Sequence, residues 1–173
     1  MSNAYEHPEF GHDAASKSAG YAQLDAALAA LLAGEHDLIA NLANTSALLF
    51  TTLPQLNWAG FYLLRSPDEL VLGPFQGKPA CVRIALGRGV CGTAAATRRT
   101  VLVPNVHEFP GHIACDSASN SEIVLPLIAG NGELLGVLDL DSPVLERFDA
   151  IDQQGLERIV ATLMRSLGDK GEA

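Results

Sequence analysis

Ser121-Glu-Ile-Val-Leu-Pro-Leu-Ile-Ala129 and Glu133-Leu-Leu-Gly-Val-Leu-Asp-Leu-Asp141, joined by Gly130-Asn131-Gly132, decide the fold. Both runs are aliphatic, and the Gly-Asn-Gly link suits the positive φ of a tight turn, so the spacing predicts an antiparallel hairpin. Side chains alternate across a strand, which puts Asp139 and Asp141 on one face and Leu138 and Leu140 on the other. One face therefore belongs to the core and the other to a site. Adjacent carboxylates repel; a cation such as an amino group stabilises them, and crowding raises one pKa toward a value useful for proton donation. Glu122, on the paired strand, can complete this acidic floor. The blander alternative is that Asp141, ahead of Ser142-Pro143, caps a turn.

Upstream of the hairpin, Trp58 to Arg65 reads as a strand, Ser66-Pro67-Asp68 as a turn and Glu69 to Leu72 as the returning strand. Trp58 and Tyr62 share a face and offer an apolar wall, whereas Phe61 points to the core. After a loop over Gly73–Pro79, Ala80 to Ala85 predicts a third strand, with Cys81, Arg83 and Ala85 on one face and Val82 and Ile84 on the other. Val90 to Thr97 is a short Ala-rich helix with Cys91 in its first turn, where the helix terminus favours a thiolate. Thr100 to Val103 is a further strand. The polar stretch from Asn105 to Asn120 holds Cys115, and a loop of that length in a compact domain is usually functional or disordered.

Helices bracket these strands. Lys17 to Ala33 carries Tyr21, Leu24, Leu28 and Leu31 along one face and ends at Gly34. Asp37 caps a second helix containing Leu38, Ile39, Leu42, Leu48, Leu49 and Leu53, which Pro54 stops. At the other end, Asp149 and Asp152 form a capping box ahead of the stripe Ile151, Leu156, Ile159, Val160 and Leu163. The class is α+β: a mainly antiparallel sheet between N- and C-terminal helices. Residues 1–16 lack periodicity and read as a flexible arm, leaving 17–173 as a single domain.

Composition narrows the function. With 11 Lys+Arg against 20 Asp+Glu, the net charge of -9 repels phosphate backbones, which excludes nucleic acid as a partner. No apolar run approaches the roughly 20 residues needed to cross a bilayer, and the N-terminus lacks a basic and apolar leader pattern; the chain reads as cytoplasmic, with no membrane partner. All three cysteines lie between Cys81 and Cys115, an odd number that argues against a structural disulfide framework. The intervals between them contain no closely spaced ligand pair, so no metal site is expected. Cys81 and Cys91 are otherwise read as small buried hydrophobes.

The segments NWAGFYL, GPFQGKPACVRI, GRGVCGTAA, HIACD, SEIVLPL and GVLDLDSP occur in this order. Together they resemble the free methionine-(R)-sulfoxide reductases, a GAF-domain family, over about residues 20–168. The resemblance implies a GAF-like sheet of about six strands, with helices on one side and a small-molecule pocket under long loops on the other. It also implies reduction of free L-methionine-(R)-sulfoxide with a thioredoxin-type reductant and no cofactor.

Such chemistry needs a nucleophilic thiolate, a proton for the departing oxygen, and a second thiol to resolve the sulfenic acid. Cys115, on the long loop beside His112 and Asp116, is assigned as nucleophile, and Cys81 as resolving thiol. Cys91 is an alternative nucleophile or resolver. Trp58, Tyr62, Glu122, Asp139 and Asp141 are assigned to substrate, while His107 and His112 read as solvated loop histidines. A homodimer is common for GAF folds, and the apolar N-terminal helices could supply its interface. The competing functions are a stand-alone GAF sensor of a cyclic-nucleotide-type ligand and a thiol redox switch.

Overall fold

The computed structural model describes residues 8, 10–11, 13–113 and 116–168. Helix α1 (Ala14–Leu31) is followed by α2 (Leu38–Thr52), strands β1 (Trp58–Ser66), β2 (Glu69–Gly77) and β3 (Arg83–Ala85), helix α3 (Gly89–Thr97) and strand β4 (Val101–Val103). A single 3-10 turn (Val106–Glu108) interrupts the long loop before β5 (Ser121–Ile128), β6 (Leu134–Ser142) and α4 (Ala150–Ser166). The strands form one sheet in the order β3-β2-β1-β6-β5-β4, and every neighbouring pair is antiparallel. This is the α+β, six-stranded architecture that the resemblance implies.

The sheet separates two cores. On one face, Phe61, Ile123, Leu125, Leu127, Leu138 and Leu140 pack beneath α1, α2 and α4. On the other, Trp58, Tyr62, Val124 and Val137 pack with Val90, Cys91 and Ala94 of α3. The alternation read from the sequence thus holds on β1, β5 and β6, which lie inside the sheet.

α1 begins earlier than Lys17: the Asp13 carboxylate accepts hydrogen bonds from the backbone N–H groups of Ala15 and Ser16 and starts the helix at Ala14. The expected buried position Leu31 is 46% exposed, and Leu32 is buried in its place. At about 100° per residue the two leucines flank the Tyr21, Leu24 and Leu28 stripe at nearly equal angles; α1 ends at Leu31, and Leu32 is its C-cap residue. In α2, Ile39 is 48% exposed. Gly155 lets α1 reach α4, since a Cβ there would lie 2.2 Å from the Tyr21 ring.

The third strand is shorter than Ala80–Ala85. Its ladder with β2 ends at the pair Arg83 and Val71, with one further bond from the Leu72 N–H to the Val82 carbonyl. Cys81 therefore precedes the strand and does not share a strand face with Arg83, while Val82 is exposed. β2, in turn, runs through the expected loop to Gly77. Pro74 is tolerated there because β3 pairs only with residues 69–71, leaving the outer edge of β2 free at that point.

Candidate active site

The register of the three central strands assembles the site. Trp58 on β1 lies opposite Asp141 on β6, and Gly60 opposite Asp139; Asp141 is in turn opposite Glu122 on β5. Three carboxylates and two aromatic rings thereby line one pocket, roofed by Cys91 from α3 and by His112, Asp116 and Ser119 from the long loop. Trp58 stacks between Tyr62, at a centroid distance of 5.9 Å, and Phe75, at 5.3 Å. Gly60 permits this stack, because a Cβ at that position would come within 2.3 Å of Phe75 Cβ and 2.7 Å of Trp58 Cη2. Trp58 and Tyr62 form the expected wall, and Asp141 faces the pocket rather than capping a turn; the Ser142 hydroxyl takes that part, accepting from the N–H of Val144.

The wall also anchors the segment that carries Cys81. Trp58 Nε1 donates to the carbonyl of Lys78 at 3.1 Å, and the Tyr62 hydroxyl donates to the carbonyl of Cys81 at 3.0 Å. Pro79 and Ala80 consequently form part of the pocket rim. Cys81 is disulfide-bonded, and Cys91 is a free, buried thiol. Cys115, assigned as nucleophile, lies outside the described residues.

Burial governs the charges. Glu122 and Asp139 are each 6% exposed. Burial, reinforced by the charge of Asp141, holds the Glu122 carboxyl well above its ordinary range; burial and then Glu122 do the same to Asp139, and burial and then Asp139 to Asp141. Closely packed carboxylates cannot all ionise, so a proton is retained among them. Burial also pushes the Tyr62 phenol up. The expected thiolate at Cys91 is reversed: burial first, then Asp139 and Glu122, push its pKa well up, overriding the helix terminus. Its thiol lies within hydrogen-bonding reach of the Asp139 carboxylate.

His112 is not a solvated loop histidine. Its Nε2 sits 3.5 Å from Glu122 Oε2 with the side chain only 16% exposed, and burial lowers its pKa. A rim of loop contacts that sequence reasoning missed holds this side of the pocket. Asn57 Nδ2 donates to Asp116 Oδ2 at 3.2 Å and to Ser119 Oγ at 3.0 Å. His107 remains on the outside, its Nε2 2.9 Å from Asn120 Oδ1. The only sequence signal for this rim was the position of His112 and Asp116 on either side of Cys115.

A curled six-stranded antiparallel sheet with a pocket between its open face and a long loop defines a GAF domain, and the GAF domain family matches residues 40–167. The chain belongs to that family. Within it, the chain belongs with the free methionine-R-sulfoxide reductases. It is 58% identical over 152 residues to the free methionine-R-sulfoxide reductase of Escherichia coli, spanning 88% of this chain and 91% of the relative. The free methionine-R-sulfoxide reductase of Neisseria meningitidis, solved in complex with its substrate, superposes with a TM-score of 0.84 at 44% identity, covering 92% of this chain and 95% of that one. The corresponding Staphylococcus aureus protein, also with substrate, gives 0.81 at 51% identity over 86% and 95% of the two chains.

Proposed function

We propose that the protein reduces free L-methionine-(R)-sulfoxide to L-methionine. The observation that carries this reading is the floor of Glu122, Asp139 and Asp141 beside the Trp58–Tyr62 wall. An ammonium group matches the acids and a thioether methyl matches the rings, so the pocket suits a small zwitterion with an apolar end. The similarity to reductases solved with their substrate supports the same substrate.

In this mechanism Cys115 attacks the sulfoxide sulfur as a thiolate while a carboxyl of the acidic floor protonates the oxygen. Oxygen passes to the cysteine, releasing methionine and leaving a sulfenic acid. The Cys81 thiol then attacks that sulfur, forming the disulfide and expelling water, and an external thioredoxin-type dithiol restores both thiols. The disulfide-bonded state of Cys81 supports its part as resolving thiol, and its carbonyl tether to Tyr62 holds it at the pocket rim. Cys91, buried with a raised pKa, is better suited to hold Asp139 than to attack sulfur.

The test is turnover of free methionine-(R)-sulfoxide with dithiothreitol, read as methionine formed. The expected result is activity in the unmodified protein and none in Cys115→Ser; equal activity in that variant sinks the nucleophile assignment. The acidic floor disfavours the phosphate of a cyclic nucleotide, which sets the sensor reading aside.

A further inference from the structure

We propose that the same pocket is a zinc site, in which Cys91, Glu122 and Asp139 hold the ion where the substrate ammonium would otherwise sit. The donor atoms of these three residues all lie within 4.8 Å of one another, and all three side chains are buried. Zinc bonds of about 2.0–2.3 Å bring ligand atoms to within about 4 Å of each other, so small side-chain adjustments close the set on an ion. A second observation points the same way. Asp139 Oδ1 is buried without a hydrogen-bond partner among the described residues, although Asp139 lines the pocket. A buried carboxylate oxygen left in that condition is costly, and a cation satisfies it.

The donor types select the metal. One sulfur and two carboxylates, with the His112 imidazole 3.5 Å from Glu122 as a fourth ligand within reach, suit zinc; magnesium and calcium prefer oxygen alone. Sequence spacing gave no sign of this set, because the ligands come from a helix and two strands that the fold brings together. On binding, the Cys91 S–H bond breaks, its proton leaves to solvent and a zinc–sulfur bond forms, with no change of oxidation state. The ion then neutralises the acidic floor and excludes an ammonium group. That inhibitory consequence rests on the reductase reading; the binding does not.

The probe is cobalt(II), a spectroscopic substitute for zinc, titrated into the reduced full chain without oxygen. The double variant Cys81→Ser/Cys115→Ser should keep a sulfur-to-cobalt charge-transfer band at one equivalent, zinc should abolish the band, and Cys91→Ala should lose it. A band absent from the double variant, or retained in Cys91→Ala, overturns the proposal. Should Cys91→Ala fail to fold, Asp139→Asn decides: zinc affinity at least about tenfold weaker supports the site, and unchanged affinity refutes it. Zinc should also inhibit turnover competitively with sulfoxide, reversed by a chelator. A metal-free protein without turnover would remove the reductase reading and leave the cobalt result standing.

Discussion

Asp139 is the residue on which the pocket's chemistry converges. It lies opposite Gly60 on the neighbouring strand, touches the Cys91 thiol and shares the strain of burial with Glu122. In the mechanism proposed above, a proton retained between these two carboxyls would be the one delivered to the sulfoxide oxygen. Asp139→Asn keeps the shape and removes the acid, so kcat for free methionine-(R)-sulfoxide should fall by about 10²–10⁴, the usual contribution of a positioned general acid. Steady-state kinetics with dithiothreitol check this, and a kcat within a factor of three of the unmodified protein, on the order of ordinary scatter between variants, would place the acid elsewhere. That Asp139 and Asp141 face the site was legible in the sequence, because Leu138 and Leu140 fix the strand phase by burial. The place of His112 was not. Loop residues obey no such period, and the loop is set by long-range bonds such as Val106 N–H to the Asn120 carbonyl and Asn120 N–H to the Ser142 carbonyl.

At the scale of elements, α4 shows how a local signature becomes a tertiary joint. The capping box of Asp149 and Asp152 forms as the sequence indicates. Asp152 is also fully buried, where it accepts from the Tyr21 hydroxyl at 2.7 Å and pairs with Lys17 and Arg147. One carboxylate thus serves the helix start and locks α1 onto α4. Asp149 feels the same cluster: burial pushes its pKa up, but hydrogen bonds from Lys17 and from the backbone of Asp152 and Ile151 outweigh it, leaving the pKa lowered. Because the folded value lies below the unfolded one, near about 3.9, this ion contributes stability above the unfolded pKa and loses it as pH falls through the folded pKa. Asp149→Asn preserves a capping oxygen and deletes the charge. Its urea midpoint should therefore lie below that of the unmodified protein at about pH 6, and the gap should close as pH drops from about 5 to about 2. A gap of constant size across that range would show that the charge is not involved. β3 is the contrasting element. Its alternating sequence resembles a strand throughout, yet the ladder ends at Arg83 although β2 continues to Gly77, and upstream the Cys81 carbonyl accepts from the Tyr62 hydroxyl of the pocket wall instead.

Across the whole molecule, the sheet divides labour between its faces. Phe61, Leu125 and Leu138 hold the helices, while the opposite face spends Glu122, Asp139 and Asp141, together with Trp58, on the pocket. Burying Glu122 and Asp139 beside the half-buried Asp141 opposes folding, since each desolvated carboxyl forfeits hydration. The helix-side core must offset that cost, so the two properties should separate by face. Leu125→Ala leaves the pocket lining intact and opens a cavity beneath α4; stability should fall by about 2–5 kcal/mol, while kcat and KM measured well below the melting temperature stay as they were. Trp58→Leu is the mirror case. It removes the ring stacked between Tyr62 and Phe75 and the donor that anchors the carbonyl of Lys78, so KM for the sulfoxide should rise several-fold more than any change in Leu125→Ala. Thermal melts and steady-state kinetics on the two variants decide it. Raised KM in Leu125→Ala, or unchanged kinetics in Trp58→Leu, would mean that the faces are coupled and that the sheet transmits packing on the helix side into the pocket.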